Sequence, residues 1–245
     1  MLDELMRRGW PALEEVSMDG WLARFSGGVT QRANSVLPLT PPSDVDAALS
    51  RVASTYRARG LPAVFQLGPT VYPPDLDALL AARGYAYGSP TLVMTASAAE
   101  VLDRLPAGAA RVTVADEPDE EWMDLWWRVD GRGDERARSV ARRILTAGPA
   151  RYATAWDGAG AAAVARLALV DGWGGLYCVA VRPDARRRGL AAATTQALVG
   201  DGGARDCWLQ VRAENEPALT LYRGAGFTEV ARYHYRTRRL PEGSR

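Results

Sequence analysis

Residues 179–191, Val-Ala-Val-Arg-Pro-Asp-Ala-Arg-Arg-Arg-Gly-Leu-Ala, connect an apolar run to the start of a helix. The run that leads into them, Leu176–Val181, is apolar and partly β-branched, as is typical of a buried strand. Pro183 and Asp184 end that strand, since proline cannot donate to a ladder and aspartate favours turns. Beyond Gly189 the apolar residues recur at helical spacing. The sequence therefore predicts a strand, an arginine-rich loop and a helix.

The predicted junction has the chemistry of an anion site. The first N–H groups of a helix lack intrahelical partners and point outward from its start. Gly189 lets the backbone approach a ligand closely, and Arg186, Arg187 and Arg188 add positive charge. A pyrophosphate is the ligand that this arrangement favours. The alternative is an ordinary loop with solvated arginines, because a pattern as short as R-x-x-G-x-A also recurs by chance.

A second motif follows the first. The strand-like run Cys207–Val211 leads into Asn215-Glu216-Pro217-Ala218-Leu219-Thr220-Leu221-Tyr222-Arg223-Gly224-Ala225-Gly226-Phe227. Together the two motifs resemble the GNAT superfamily of acyl-CoA-dependent N-acyltransferases, whose pattern is a strand, an R/Q-x-x-G-x-G/A loop, a helix, a strand and N-x-x-A-x-x-L-Y-x-x-x-G-F. The second motif matches in full, and Ala191 stands where many members carry glycine. The resemblance covers roughly Arg111–Arg239.

The resemblance implies a binding mode for acyl-CoA. The pyrophosphate would lie on the backbone amides of residues 187–191, and the pantetheine arm would run along residues 179–181, where GNAT sheets splay. Asn215 would contact the pantetheine amide or hold the loop, and Tyr222 would hydrogen-bond the thioester sulphur and protonate the leaving thiolate as the catalytic acid. From the residues alone, Asn215 is equally a helix cap and Tyr222 a core residue. The implied coenzyme-binding set is Val179, Ala180, Val181, Arg186, Arg187, Arg188, Gly189, Leu190, Ala191, Asn215 and Tyr222.

The general base and the acceptor site are left open by the sequence. Many family members place a carboxylate in the central strand, but Leu176–Val181 contains no acid. The candidate bases are Glu214, Glu216, Tyr177 and His234, the last of which is better explained as an exposed or hydrogen-bonded strand histidine. The acceptor candidates on the first two helices of the C-terminal fold are Trp122, Trp126, Trp127, Asp130, Arg132 and Asp134. Core packing explains the first two tryptophans, and a solvated turn explains the aspartates as well as amine binding does.

Two cysteines, Cys178 and Cys207, lie in strand-like runs. Free buried thiols are expected, since their spacing does not suit a metal ligand set. No metal is therefore predicted.

The first half of the chain echoes the second. Phe65-Gln66-Leu67, a proline-started helix and Arg83-Gly84-Tyr85 parallel the run that ends in Gly226-Phe227. The first copy lacks an arginine–glycine loop, so it is expected to be a degenerate, supporting domain. The predicted fold class is α/β (α+β), with tandem GNAT-like folds, a mixed central sheet flanked by helices and a complete C-terminal domain. The predicted domains are residues 1–100 and 111–245, with a linker over 101–110.

The remaining pattern places further elements along the chain. Helices are predicted over residues 1–8, 45–59, 73–82, 98–104, 116–129 and 134–145. Strands are predicted over residues 21–25, 29–39, 63–67, 85–95, 112–114, 152–156, 161–170 and 230–237, the last completing the C-terminal sheet.

Composition limits the partners. The 245 residues are 47% hydrophobic and 24% charged, as in ordinary globular proteins, and the net charge is +1. That balance argues against nucleic acid or an anionic membrane as partner. Met1–Glu15 lacks an apolar signal core, and the apolar stretch Ala161–Val170 is too short to span a bilayer. A cytoplasmic protein is expected, and a homodimer stays open.

The predicted function is that of an acyl-CoA-dependent N-acyltransferase. It would transfer acetyl from acetyl-CoA, its cosubstrate, to a primary amine of a small molecule, by direct attack in a ternary complex. The alternatives are an acyl-CoA-binding pseudoenzyme or sensor, and a protein N-acetyltransferase.

Overall fold

The structure is a computed structural model that describes residues 1–105, 108 and 110–239. In chain order its helices are α1 (Leu2–Gly9), α2 (Val45–Ala58), α3 (Leu76–Ala82), α4 (Ala98–Arg104), α5 (Glu120–Asp130), α6 (Glu135–Leu145), α7 (Leu190–Gly202) and α8 (Glu216–Gly224). Its strands are β1 (Glu14–Met18), β2 (Trp21–Phe25), β3 (Val36–Pro38), β4 (Ala63–Leu67), β5 (Ala86–Ser97), β6 (Arg111–Ala115), β7 (Ala150–Asp157), β8 (Gly160–Val170), β9 (Trp173–Val181), β10 (Asp206–Arg212) and β11 (Thr228–Arg238). Within the described residues, no helix combines the length and the apolar character that crossing a membrane requires.

The chain groups into two compact units. The larger unit consists of Met1–Pro11 and Val93–Val230, and the smaller unit consists of Ala12–Leu92 and the chain from Ala231 onward. The predicted domains, 1–100 and 111–245, have other boundaries and stay a prediction. Of the predicted linker, residues 101–104 belong to α4, while residues 106, 107 and 109 lie outside the described residues, as do residues 240–245 of the predicted C-terminal domain.

The larger unit is a mixed sheet with helices packed on it. Its strand order is β5-β10-β9-β8-β7-β6, with β5 contributing residues 93–97. β9 pairs in parallel with β10, whereas β9, β8, β7 and β6 pair successively in antiparallel fashion. α7 packs against β6 to β9, and α5 packs against β8 and β9. The predicted mixed sheet flanked by helices is confirmed.

A buried arginine holds α1 in the larger unit. Arg166 of β8 is 1% exposed. Its Nη1 donates to the carbonyl oxygen of Gly9 at 2.9 Å, and its Nε donates to the carbonyl oxygen of Leu145 at 3.0 Å. Gly9 and Leu145 are the last residues of α1 and α6, so the guanidinium lies at the negative ends of two helix dipoles. The buried charge is therefore compensated without a carboxylate.

The smaller unit has its own sheet, ordered β1-β2-β3-β4-β11 and followed by residues 86–92 of β5. β3 and β4 are parallel, whereas β1–β2, β2–β3 and β4–β11 are antiparallel. Trp21, Ala23 and Phe25 of β2 join an apolar core with residues of α2 and α3. Because side chains alternate along a strand, Arg24 lies on the opposite face.

Most predicted elements form within a few residues of their predicted bounds, but the segment 29–39 differs. It is a 3-10 turn at Gln31–Ala33 followed by the short strand β3, and not one continuous strand. Within it, Nδ2 of Asn34 donates to the carbonyl oxygen of Thr30 at 2.7 Å, and Oγ1 of Thr30 accepts from the N–H of Ala33 at 3.4 Å. These side-chain bonds offer the backbone an alternative to a strand ladder. The pattern also did not indicate β1.

The last strand forms, but most of it does not complete the C-terminal sheet as predicted. His234–Arg238 pair with Leu67–Ala63 of β4, so this part of β11 belongs to the smaller unit and does not complete the sheet of residues 111–230. The period of a strand indicates which face is buried but does not name the neighbouring strand.

Candidate active site

The candidate site begins where β9 separates from β10. Their parallel register ends at Leu176 opposite Leu209, although β9 continues to Val181. Directly beyond, two residues of β9, beginning with Cys178, stand opposite Ala165 of β8. Cys178 has φ 54°, a left-handed conformation, so this is a β-bulge, which bends its strand. The strands open at the position where the family resemblance implies a splay.

The opened edge of β9 presents main-chain groups. The N–H of Arg182 donates to the carbonyl oxygen of Ala162 in β8 at 2.9 Å. Successive residues of a strand direct their N–H groups to opposite sides, so the N–H of Val181 points away from β8. An edge of this kind can pair with an extended ligand that carries amides.

The loop after β9 supplies a group of backbone donors. The first α-helical bond of α7 runs from the N–H of Ala193 to the carbonyl oxygen of Gly189 at 3.0 Å, so the preceding amides lack intrahelical acceptors. Arg187 and Gly189 have φ 64° and 75°, and left-handed residues of this kind turn successive N–H groups toward one concave side. A Cβ on Gly189 would meet nothing within 4 Å, so the positive φ, and not crowding, is what favours glycine there.

The arginines of the loop divide into two groups. Arg186 and Arg187 line the cavity described below, and neither has an acidic partner among the residues that the structure describes. Arg188 instead donates from Nη1 to Oδ2 of Asp157 at 2.9 Å. Arg182 binds the same carboxylate at 2.9 and 3.1 Å. The pKa of Asp157 is lowered by the N–H of Ala159 and by both arginines.

Two predicted residues lie on the strand–helix unit that follows. Asn215 is the N-cap of α8, and its side chain accepts from the N–H of Ala218 at 3.3 Å. Tyr222, in the last turn of α8, is 8% exposed and packs edge-on against Phe227 with ring centroids 5.9 Å apart. Burial raises the pKa of the Tyr222 hydroxyl well above its usual range, so this group stays protonated at neutral pH.

These parts line one cavity of about 710 Å³, within the size range of small-molecule sites. The predicted coenzyme-binding residues on its wall are Val179, Ala180, Val181, Arg186, Arg187, Gly189, Leu190, Ala191, Asn215 and Tyr222. Arg188 is the predicted residue that is not part of that wall. Sequence reasoning did not assign the other wall residues to the coenzyme site, although Ala218 and Leu221 are fixed positions of the second motif; these residues are Val129, Ala192, Pro217, Ala218, Thr220 and Leu221. The sequence feature that marked Val129 was its place in the apolar repeat of α5, which predicts a buried helix face and not a ligand site.

The candidate bases in the larger unit do not line the described wall of this cavity. Tyr177 is buried, and its hydroxyl accepts hydrogen bonds from Nε1 of Trp208 and Nε2 of Gln210, both at 3.2 Å. Glu214 forms an ion pair with a neighbouring arginine, and Glu216 is exposed. The described wall thus carries neither a carboxylate nor an imidazole.

His234 lies in the smaller unit, where its Nε2 is 2.9 Å from Oδ1 of Asp77. The prediction of a hydrogen-bonded strand histidine is confirmed.

The acceptor candidates also lie off the described wall. Trp122 and Trp126 are 1% and 4% exposed, which confirms that they are core residues. Asp134 caps α6, accepting from the N–H of Ala137 at 3.0 Å. The two cysteines form no disulfide with each other; Cys207 is buried as predicted, whereas Cys178 is only half-buried, and burial raises the pKa of Cys207 to about 12.

The parallel strand pair that opens at a bulge, the arginine-bearing helix start and the buried tyrosine on the next helix are arranged as the resemblance to the GNAT class of acyltransferases implies. The family described as "Probable histone acetyltransferase Rv0428c C-terminal" matches residues 1–236, and the chain belongs to this family.

Relatives and solved structures agree with that assignment. "Uncharacterized N-acetyltransferase YobR" of Bacillus subtilis is 29% identical over 244 residues, covering 97% of this chain and 98% of that protein. A GCN5-related N-acetyltransferase from Kribbella flavida has a TM-score of 0.71 at 17% identity, covering 99% of this chain and 95% of its own. A tandem GNAT protein from the clavulanic acid biosynthesis pathway has a TM-score of 0.62 at 14% identity, and the match covers 79% of this chain and 69% of that protein's chain. The chain is thus an N-acetyltransferase with the predicted tandem GNAT fold.

Proposed function

We propose that the chain transfers the acetyl group of acetyl-CoA to a primary amine of a small molecule, by direct attack of the amine on the thioester in a ternary complex. The observation that carries this proposal is the single cavity that joins the opened edge of β9, the start of α7 and Tyr222. Each of these parts matches one part of a coenzyme thioester: its amide-containing arm, its pyrophosphate and its reacting sulphur.

The coenzyme is held chiefly by the main chain. Backbone N–H groups of residues 187–191 bind the pyrophosphate at the positive end of the α7 dipole. Arg186 and Arg187 add charge-assisted hydrogen bonds, since no acid in the described part of the chain competes for them. The edge of β9 at residues 179–181 binds the pantetheine arm as a short additional strand.

The chemistry needs a group that stabilises the oxyanion and one that protonates the leaving sulphur. As the amine nitrogen bonds to the thioester carbon, the N–H of Val181 donates to the developing oxyanion. The carbon–sulphur bond then breaks, Tyr222 gives its proton to the thiolate, and the resulting phenolate regains a proton from water. General-acid catalysis of this kind contributes about 10²–10⁴-fold in rate. Because the described wall carries no carboxylate or imidazole, the amine reacts in its neutral form and passes its surplus proton to water.

The missing base also favours a second candidate, an acyl-CoA sensor that binds the coenzyme and turns nothing over. A third candidate is a protein acceptor, which the description of the matching family, a histone acetyltransferase, supports.

One experiment separates these candidates. Calorimetric titration with acetyl-CoA measures binding, and thiol release detected with DTNB measures turnover against small primary amines, a lysine-containing peptide and a peptide with a free N-terminus. The proposal expects binding, with faster thiol release for at least one small amine than for either peptide. Binding without release from any acceptor would establish the sensor, and faster release with a peptide would establish a protein acceptor.

A further inference from the structure

The hydroxyl of Tyr177 connects β9 and β10 at the level where their main chains separate. The last pair in the register of these parallel strands is Leu176 with Leu209, so Tyr177 and Gln210 are the first residues beyond it. Nε2 of Gln210 donates to the hydroxyl oxygen of Tyr177 at 3.2 Å. The backbone pairing of the two strands is thus followed directly by a hydrogen bond between side chains.

Trp208 supplies a second donor to the same oxygen. It lies two residues before Gln210, on the same face of β10, and its Nε1 donates to the Tyr177 hydroxyl at 3.2 Å. Trp208 is 0% exposed, and Tyr177 is 5% exposed. Because a buried donor without an acceptor is costly, these bonds fix the distance between the Tyr177 hydroxyl and β10. Tyr177 with its two donors, Trp208 and Gln210, is called the strut below.

Two glycines leave the space that the Trp208 indole fills. Gly175 lies directly opposite Trp208 in the strand register, and a Cβ on it would lie 2.3 Å from the indole ring. A Cβ on Gly9, the last residue of α1, would lie 2.6 Å from the same ring and 2.9 Å from the Tyr177 hydroxyl oxygen. Packed side chains do not approach this closely, so both positions require glycine. Packing between β9 and α1 therefore fixes the orientation of the indole and of its Nε1.

Packing also fixes the ring of Tyr177. Its centroid lies 5.3 Å from that of Trp10, the residue after α1. The guanidinium carbon of Arg166 lies 5.7 Å from the Tyr177 ring centroid, and Nη1 of Arg166 donates to the carbonyl oxygen of Gly9. Aromatic and cation–π contacts of this kind favour one ring orientation. The strut therefore has a fixed length, which α1 and Arg166 maintain.

Each end of the strut leads into a wall of the coenzyme cavity. Tyr177 directly precedes the bulge at Cys178, and residues 179–181 beyond the bulge line the cavity. Gln210, at the other end, lies near the end of β10, which leads into α8 and its cavity residue Tyr222. The length of the strut thus sets the separation between the β9 edge and the unit of β10 and α8.

The anion-binding loop, residues 187–191, is held by other contacts. The N–H of Arg182, which precedes this loop, donates to the carbonyl oxygen of Ala162 in β8 at 2.9 Å. The Arg182 side chain binds the Asp157 carboxylate at 2.9 and 3.1 Å. A change in the strut should therefore alter the opening between β9 and β10 more than it alters this loop.

We infer that Tyr177 is a positioning residue whose hydroxyl, held by Trp208 and Gln210, sets the width of the opening that receives the pantetheine arm. This inference rests on the proposed function, since it concerns the binding of the coenzyme. Hydrogen bonds weaken steeply as their angle and distance depart from the optimum. A change in width would misalign the main-chain groups of residues 179–181 with the amides of the arm, whereas the pyrophosphate would bind as before.

The test compares two ligands in Tyr177→Phe, which removes the hydroxyl and keeps the ring. Acetyl-CoA contains both the pantetheine arm and the pyrophosphate, whereas ADP contains a pyrophosphate and lacks the arm. Calorimetry on the full chain should show the Kd of acetyl-CoA raised about 3–10-fold, the range for one hydrogen bond, and that of ADP changed less than about twofold.

Tyr152→Phe is the matched control, because it also removes a buried tyrosine hydroxyl from the larger unit. That hydroxyl donates to the carbonyl oxygen of Leu145 at 2.7 Å, and Tyr152 does not line the described wall of the cavity. Its loss should leave both dissociation constants unchanged. A merely structural role of Tyr177 would give the same result in Tyr177→Phe as in this control, with a change in Tm alone.

Gln210→Leu gives a second readout, which decides the question if Tyr177→Phe does not fold. It removes one donor of the strut and should weaken acetyl-CoA binding without weakening ADP binding. Its effect should be smaller in the Tyr177→Phe background than in the unmodified chain, because both substitutions break the same hydrogen bond.

The inference is overturned if the strut variants weaken neither ligand, if they weaken both ligands equally, or if their effects simply add. Failure of the unmodified chain to bind acetyl-CoA would contradict the proposed function itself, and this inference with it. Binding by the unmodified chain with equal affinities in all variants would contradict only the role of Tyr177.

Discussion

Nη1 of Arg188 lies 2.9 Å from Oδ2 of Asp157, and this ion pair turns Arg188 away from the cavity that Arg186 and Arg187 line. Because Arg182 binds the same carboxylate, Asp157 joins the turn between β7 and β8 to the end of β9. Three consecutive arginines, equivalent in the sequence, therefore have different surroundings.

This difference predicts how each arginine contributes to coenzyme affinity. Arg187→Ala removes a charge that faces the cavity, and KM for acetyl-CoA should rise about 10–100-fold, the range for charged hydrogen bonds. Arg188→Ala is the matched control and should change KM less than about threefold. Steady-state kinetics at two salt concentrations measure both effects. Equal losses in the two variants would contradict the proposed separation of roles.

Tyr222→Phe should lower kcat by about 10²–10⁴-fold while leaving the affinity for CoA nearly unchanged. The substitution removes the proton donor but keeps the ring that packs against Phe227. Tyr56→Phe is the control, because that buried hydroxyl donates to the carbonyl oxygen of Arg24 within the smaller unit and should affect stability alone. DTNB kinetics with CoA calorimetry provide the measurements, and unaltered turnover in Tyr222→Phe would exclude it as the acid.

Gly189→Ala should destabilise the protein by about 1–2 kcal/mol, since alanine at φ 75° brings its Cβ too close to the carbonyl oxygen. Gly224→Ala, in α8 with open space around the added Cβ, should instead stabilise it by about 0.5–1 kcal/mol. Urea denaturation measures both changes. Effects of the same sign would show that the backbone at Gly189 relaxes.

Arg166→Met should cost about 2–4 kcal/mol, because two buried helix-terminal carbonyls lose their donor. Hydrogen exchange should quicken in α1 more than in α7. Arg8→Gln, which breaks only an exposed pair with Asp171, should leave both measurements close to those of the unmodified chain. Unchanged protection of α1 in Arg166→Met would mean that other contacts hold this helix.

Acid should weaken the smaller unit through Asp77. Hydrogen bonds from Arg236, the larger effect, and from His234 lower the pKa of the Asp77 carboxyl to about 2, against about 3.9 in an unfolded chain. Its stabilisation is therefore complete above about pH 4 and is lost as the pH falls toward about 2. Because the Asp77 side chain is 46% exposed, solvent screening keeps the contribution below about 1 kcal/mol.

Denaturation at about pH 5 and about pH 2.5 tests this dependence. Asp77→Asn should lose less stability between the two pH values than the unmodified chain does, and Asp75→Asn, at an exposed position, should behave like the unmodified chain. The same loss in all three proteins would contradict a role for Asp77.

Local order in the sequence was enough to predict much of the wall of the cavity. Gly189, Asn215 and Tyr222 belong to short motifs whose turn, cap and helix form from neighbouring residues, and the structure brings them together. The partner of Arg188 could not be predicted, because Asp157 lies on another turn and no local period connects them. Arg188 was predicted to bind the coenzyme, like Arg186 and Arg187, only because it is close to Gly189 in the chain.

Pairing between strands that are distant in the chain limited the prediction of the fold for the same reason. β11 was predicted as a strand, but its period could not indicate that His234–Arg238 would pair with β4. The sequence could also not predict that the carbonyl oxygens of Gly9 and Leu145 stabilise the buried charge of Arg166, since this depends on where two helices end in space.

Neither unit is a continuous piece of the chain, because the larger takes α1 from the first residues and the smaller takes most of β11 from the last. During synthesis on the ribosome, β4 therefore cannot pair with its second neighbour, β11, until residues 231–238 have emerged. Until then β4 is an edge strand, and unpaired edges recruit strands from other chains. Synthesis that stops before Ala231 would leave a product prone to aggregate.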